Sequence, residues 1–322
     1  MNTYQNSFDG NIPQDVTARP GENAIFIVYS LKHSADTFEK VKDVCANFSA
    51  MIRSMRNRFP DMQFSCTIGF GADAWSQLFP KKAKPKELST FKEIKGDKYT
   101  AVSTPGDILL HIRARQMGLC FEFASIIDEK LKGVVESVDE THGFRYMDGK
   151  AIIGFVDGTE SPAVDENPYY FAAIGNEDPD FAGGSYVFVQ KYIHDMVAWN
   201  ALPVEAQEKV IGRHKFNDVE LSDEEKPENA HNAVTNIENS TCQYAICQYL
   251  KRRIRNLLYR LRQYVQYYQE DAGKHVYRQS CWQHRPPVGF QYTGNRDTLF
   301  CSLIRSTFRT WRVIIPSLLI LE

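Results

Sequence analysis

A chain of 322 residues exceeds what one hydrophobic core comfortably organises, so two domains of roughly 100 to 200 residues are expected. With 43% hydrophobic and 24% charged residues it falls outside the disordered class, and no apolar run reaches the roughly 18 residues that span a bilayer. The net charge of −2 conceals a reversal: 13 of the 38 Lys and Arg but only 5 of the 40 Asp and Glu lie from Glu238 onward, giving about −10 before that point and +8 after it.

The opening run MNTYQNSFDGNIPQD has neither a basic n-region nor an apolar h-region, and a cytoplasmic location is expected. AIFIVYSL (24–31) is rich in β-branched and aromatic residues and predicts a buried strand. Thr37 to Arg58 carries Phe38, Val41, Val44, Cys45, Phe48, Met51, Ile52 and Met55 near helical spacing and stops before Pro60, which predicts a long amphipathic helix. MQFSCTIGFG (62–71) predicts a second strand. The basic stretch KKAKPKELSTFKEIKGDK lacks periodicity and predicts a surface loop, DILLHIRA (107–114) a third strand, Met117 to Lys132 a helix, and VVESVDETHGFRYM a fourth strand. This β-α-β-β-α-β order is the ferredoxin-like unit.

A second unit starts near Asp148. GGSYVFVQKYIH (183–194) predicts a strand, and PVEAQEKVIGR (203–213) a helix with Pro203 in its first turn. Of the seven cysteines, Cys45, Cys66 and Cys120 sit in apolar patterns, as reduced buried cysteines do, and no CxxC pair is present.

Two motifs carry chemistry. In GFVDGTESP (154–162) a short apolar run ends at an acid between glycines, so Asp157 can be brought close to a ligand and tuned for proton transfer. The same residues also read as an ordinary Asp-Gly turn. In KPENAHNAVTNI, His231 is a candidate axial ligand for haem iron, or else a capping or solvated histidine. Tyr186, Phe188, Tyr192 and Trp199 have the spacing of an electron relay and equally that of ordinary packing.

Taken in order, GFVDGTE, AGGSYVFVQKYIHD, VIGRHK with its acidic run, and PENAH closely resemble the cytoplasmic branch of the dye-decolourising peroxidase family over about residues 20 to 237; ETHGFRYM and TIGFGADAW are similar to it as well. The resemblance implies an α+β fold of two ferredoxin-like units with antiparallel sheets packed together, spanning 1–147 and, incompletely, 148–237. It also implies haem b, a proximal His231 and a distal Asp157, with Gly158 and Thr159 beside the cofactor. The activity implied is oxidation of dyes and small aromatic one-electron donors by hydrogen peroxide. A homo-oligomer is expected, and the acidic balance of the first 237 residues and the lack of a membrane-spanning run speak against nucleic-acid and membrane partners. A haem-binding or haem-handling protein with little turnover is the alternative.

The resemblance stops at Glu238. The family continues with a segment like KIVR, whose arginine lies over the distal haem face, whereas this chain reads ENSTCQYAICQYLKRR. A back-translation of Glu238 to Tyr249, shifted by one base, reads KIVRANMPFAN, with the arginine at Thr241. The same frame applied further on restores strand-like alternation. Residues 238–322 are therefore expected to be a frameshifted, non-native tail. Read literally, KRRIRNLLYRLRQYVQYY is a cationic amphipathic segment.

Overall fold

Strand β1 (Asn23–Leu31) lies inside the sheet because both its faces are apolar: Ile25, Ile27 and Tyr29 are buried on one side and Val28 on the other. The computed structural model describes residues 14–18, 21–95, 100–156, 173–191, 194–235 and 309–315. Helix α1 (Thr37–Arg58) has the predicted limits, and Val41, Val44, Phe48, Ile52 and Met55, three or four residues apart, form its buried stripe. β2 (Ser65–Phe70) is buried throughout.

Where the apolar pattern of TIGFGADAW suggests only a strand, the chain turns at Gly71 into helix α2 (Ala72–Leu78), which buries Ala72, Trp75 and Leu78. The basic segment that follows is less solvated than its composition implies. It contains the short strand β3 (Ile94–Lys95), which pairs with β4 (Thr100–Ala101) just beyond it, and it buries Leu88 and Phe91. β5 (Ile108–Ala114), α3 (Met117–Lys130) and β6 (Val135–Phe144) complete the first unit.

These strands are antiparallel in the order β6-β1-β5-β2, the arrangement of a ferredoxin-like unit. Ile25 pairs with Ile112 and Ile27 with Leu110, so the apolar residues of neighbouring strands share one face. Helices α1 and α3 close that face. Phe48 and Phe64 meet Phe123 edge-on at ring separations of 6.2 and 4.9 Å. Cys45, Cys66 and Cys120 are buried there as free thiols, and burial pushes the Cys45 thiol up to about 12.

The second half contributes β7 (Ser185–Lys191), α4 (Met196–Asn200), α5 (Val204–Ile211), α6 (His231–Thr235) and β8 (Arg309–Ile315). β8 pairs with β7 from Ser185↔Ile315 to Lys191↔Arg309 and meets β2 at Phe70↔Ile314, extending the sheet to six strands. Arg309–Ile315 is the only part of 238–322 among the described residues. On the face away from α1 and α3, buried Val28 and Leu109 pack with Val138, Val187 and Val189.

Candidate functional site

The approach to the Asp157 motif is a tight hairpin. Lys150 and Val156 form an antiparallel bridge, Ala151 N–H donates to Phe155 O at 2.7 Å, and Gly154 N–H donates to Ala151 O at 2.8 Å. The turn requires φ +93° at Gly154, a left-handed conformation that side chains resist. Asp157, Gly158 and Thr159 lie outside the described residues; the structure fixes the chain up to Val156.

Three elements hold this hairpin. In α4, Asp195 caps Ala198 N at 3.0 Å and Trp199 is buried, with Nε1 donating to Ile153 O at 2.9 Å and its ring edge-on to Phe155 at 6.1 Å. From α5, the buried Gln207 donates through Nε2 to Trp199 O at 3.0 Å and to Leu202 O at 3.1 Å. Beyond α5, Lys215 Nζ donates to Gln207 Oε1 at 2.5 Å and stands 5.7 Å from the centre of the Phe155 ring.

The loop after α5 is equally tied down. Gly212 ends the helix at φ +89°, as a left-handed C-terminal residue does, and Arg213 bridges Glu220 to form a short hairpin. Glu208 Oε1 accepts from Lys215 N–H at 2.8 Å while Oε2 lies 3.2 Å from His214 Nδ1; the Lys215 amide, with His214, holds the Glu208 carboxyl below its usual range. The hydrogen bond from Lys226 to Glu220, 2.7 Å long, lifts the Lys226 ammonium above its ordinary value.

His231 is the first residue of α6 and is exposed, following the fully buried Ala230. Its neighbour Asn232 donates through Nδ2 to Gly212 O at 3.0 Å and to Glu220 Oε1 at 2.9 Å. The hairpin leading to Asp157 and the helix starting at His231 are thus anchored to the same element, α5 with its following loop. Sequence reasoning found the two motifs but missed Gln207, Lys215 and Asn232. The visible signal was their clustering between the motifs, in QEKVIGRHK and AHN.

Of the four candidate relay aromatics, Trp199 is a packing residue whose indole N–H is satisfied by Ile153 O. Tyr186 packs partly buried against the main core, with its hydroxyl accepting from Glu87 N–H at 3.1 Å. Tyr192 and the side chain of Phe188 lie outside the described residues.

The family model described as Dyp-type peroxidase, N-terminal, matches residues 13–145, and Dyp-type peroxidase, C-terminal, matches 148–253. A dye-decolorizing peroxidase of Rhodococcus erythropolis is 48% identical over 230 residues, 71% of this chain and 66% of that protein. One of Mycobacterium tuberculosis is 44% identical over 224 residues, 69% of this chain and 65% of that protein. The chain therefore matches a little under two thirds of the length of these curated relatives. Among solved structures, a dye-decolorizing peroxidase of Bacteroides thetaiotaomicron aligns at TM-score 0.77 with 62% identity, covering 98% of each chain. The encapsulated DyP-type peroxidase of Mycobacterium smegmatis aligns at 0.74 with 32% identity, covering 96% of this chain and 97% of that one. A variant of DypB of Rhodococcus jostii, in complex with heme, aligns at 0.74 with 31% identity, covering 97% and 98%.

Proposed function

The chain belongs to the Dyp-type peroxidase family, and on that premise we propose that it is a cytoplasmic haem b peroxidase that uses hydrogen peroxide to oxidise dyes and other small one-electron donors. The observation that carries this reading is His231, an exposed imidazole at the head of an anchored helix. One imidazole suits an iron that already holds four porphyrin nitrogens, and a family relative solved in complex with heme supports haem as the cofactor.

When bound, haem supplies the two-electron reduction of peroxide and the one-electron oxidation of donors. His231 is the residue that would hold the iron. With peroxide bound, Asp157 would take a proton from one peroxide oxygen and return it to the other, which would leave as water. Gly158, which carries no side chain, and Thr159 would border the cofactor beside Asp157. The protein works as a homo-oligomer without nucleic-acid or membrane partners; among the described residues no helix is long and apolar enough to cross a membrane.

Reconstitution of the purified chain with haemin tests the assignment. A Soret band that is lost in His231→Ala is expected, together with dye oxidation that falls about 10²- to 10⁴-fold in Asp157→Ala. Undiminished turnover in Asp157→Ala would remove the carboxylate from the proton transfer.

A second reading, a haem-binding or haem-handling protein with little turnover, is favoured by Thr241, which stands where the family's distal arginine is expected. A parent chain with a Soret band and no dye oxidation selects it. Residues 238–322 are proposed to be translated out of frame, which the reversal of the charge balance at Glu238 and the KIVR-like reading of the shifted frame support. Sequencing the gene around the Glu238 codon decides this. An insertion or deletion not divisible by three is expected, and early stops in the shifted frame would refute it.

A further inference from the structure

Two left-handed glycines flank the site, and at each the space of the missing side chain is filled by one residue of the opposite segment. At Gly154 a Cβ would stand 2.6 Å from Lys215 Cε. At Gly212 a Cβ would overlap the amide of Asn232. Neither neighbour is idle in that space. Lys215 continues to Gln207 Oε1 at 2.5 Å, and Asn232 donates to Gly212 O at 3.0 Å and to Glu220 Oε1 at 2.9 Å.

The turn from Gly212 to Lys215 therefore grips both motifs. On one side its first residue is clamped to Asn232, one peptide unit from His231. On the other side its last residue fills the bend of the hairpin that ends at Val156, one residue before Asp157. Glu220 stiffens the clamp, since its carboxylate also receives Lys226 at 2.7 Å and lies 3.7 Å from Arg213. These bonds are directional and held by more than one partner, so they restrict rotation as well as separation.

We propose that Asn232 is a positioning residue for His231, held by its bonds to Gly212 O and Glu220, and that Lys215 holds the bend of the hairpin at Gly154, so that one turn, Gly212–Lys215, anchors both segments. This rests on the reading of His231 as the haem ligand. Partners that orient a metal-binding histidine typically contribute about 10- to 100-fold in metal affinity, and the same range is expected here.

The test uses the full chain, with and without haemin. Asn232→Ala is expected to weaken haem binding about 10- to 100-fold and to alter the ferric EPR spectrum of the fraction that binds, with far-UV circular dichroism unchanged. In the haem-free protein it raises amide hydrogen exchange across 212–220 and 231–235. Lys215→Met keeps the chain that fills the space at Gly154 but removes the bond to Gln207. It is expected to raise exchange across 150–156 with far-UV circular dichroism unchanged; exchange at the parent level there overturns the role of Lys215. If Asn232→Ala does not fold, Asn232→Asp takes its place with the same expected and overturning results, since it keeps the shape without a donor for Gly212 O. A Soret band lost in His231→Ala but retained at parent affinity and with the parent EPR spectrum in the Asn232 variant overturns the positioning role alone. A parent chain without any Soret band overturns the haem reading, and the positioning role falls with it.

Discussion

The sheet-and-helix unit of residues 23–144 and the site region of 150–235 are stabilised by different kinds of interaction. In the first, the stabilising groups are apolar and numerous: Phe48, Phe70, Phe123 and Ile25 are fully buried within one cluster joining four strands to three helices. In the second, the described apolar core is essentially Phe155 and Trp199 with partly buried neighbours, and the segments are tied by side-chain bonds to backbone carbonyls from Gln207, Trp199 and Asn232. Apolar burial is non-directional and tolerates many side chains of similar volume. Hydrogen bonds of fixed geometry do not, which suits a region that must hold two groups in register.

Single substitutions separate the two modes, and the largest effect is expected in the first unit. Phe48→Ala opens a cavity between α1 and α3 and should lower unfolding stability by about 3–5 kcal/mol in urea titrations. A loss under about 1 kcal/mol would mean that the first unit is not held by its aromatic core. In the site region, Gln207→Ala leaves the carbonyls of Trp199 and Leu202 and the ammonium of Lys215 without this partner. It should cost about 1–3 kcal/mol and weaken haem retention beyond what stability explains. If it costs as much as Phe48→Ala, the contrast between the regions fails.

A pH effect sharpens the comparison on the sheet face away from α1 and α3. His111 stacks on Phe26 at 4.1 Å, and burial, reinforced by Arg113, lowers its pKa to about 3. The unfolded chain binds this proton below about pH 6.5 and the folded chain does not, so the stability tied to neutral His111 is present above that pH and is lost as pH falls toward 3. Replacing His111 with Leu should flatten the decline of stability between pH 6.5 and 3; an unchanged slope would show that His111 does not drive it. The smallest effect is assigned to Lys132→Ala. Its pair with Glu129, at 3.1 Å, leaves both side chains more than 70% exposed, so the change should be within about 0.5 kcal/mol by thermal unfolding.

The contrast also explains what was legible beforehand. The limits of α1 and the strands around Ile27, Ile68 and Leu110 followed from apolar spacing, because burial acts on whole faces and leaves a periodic trace, and α5 followed from Pro203 at its start. α2 was hidden, since ADAWSQL continues an apolar strand without interruption and only the turn at Gly71 separates them. Leu88 and Phe91 were hidden within a lysine-rich segment whose composition speaks for solvent.

By itself the sequence determined the ferredoxin-like order of the first unit and the family, with Asp157 and His231 as its candidate chemical groups, because periodicity and short motifs are local properties of the chain. Only the tertiary structure decided that β7 and β8 extend the first unit's sheet, and that Gly154 meets Lys215 while Gly212 meets Asn232. Those pairings join residues 61 and 20 positions apart, and no local pattern encodes them. They depend on where α5 packs, and that is settled by the burial of Trp199 and Phe155 against it.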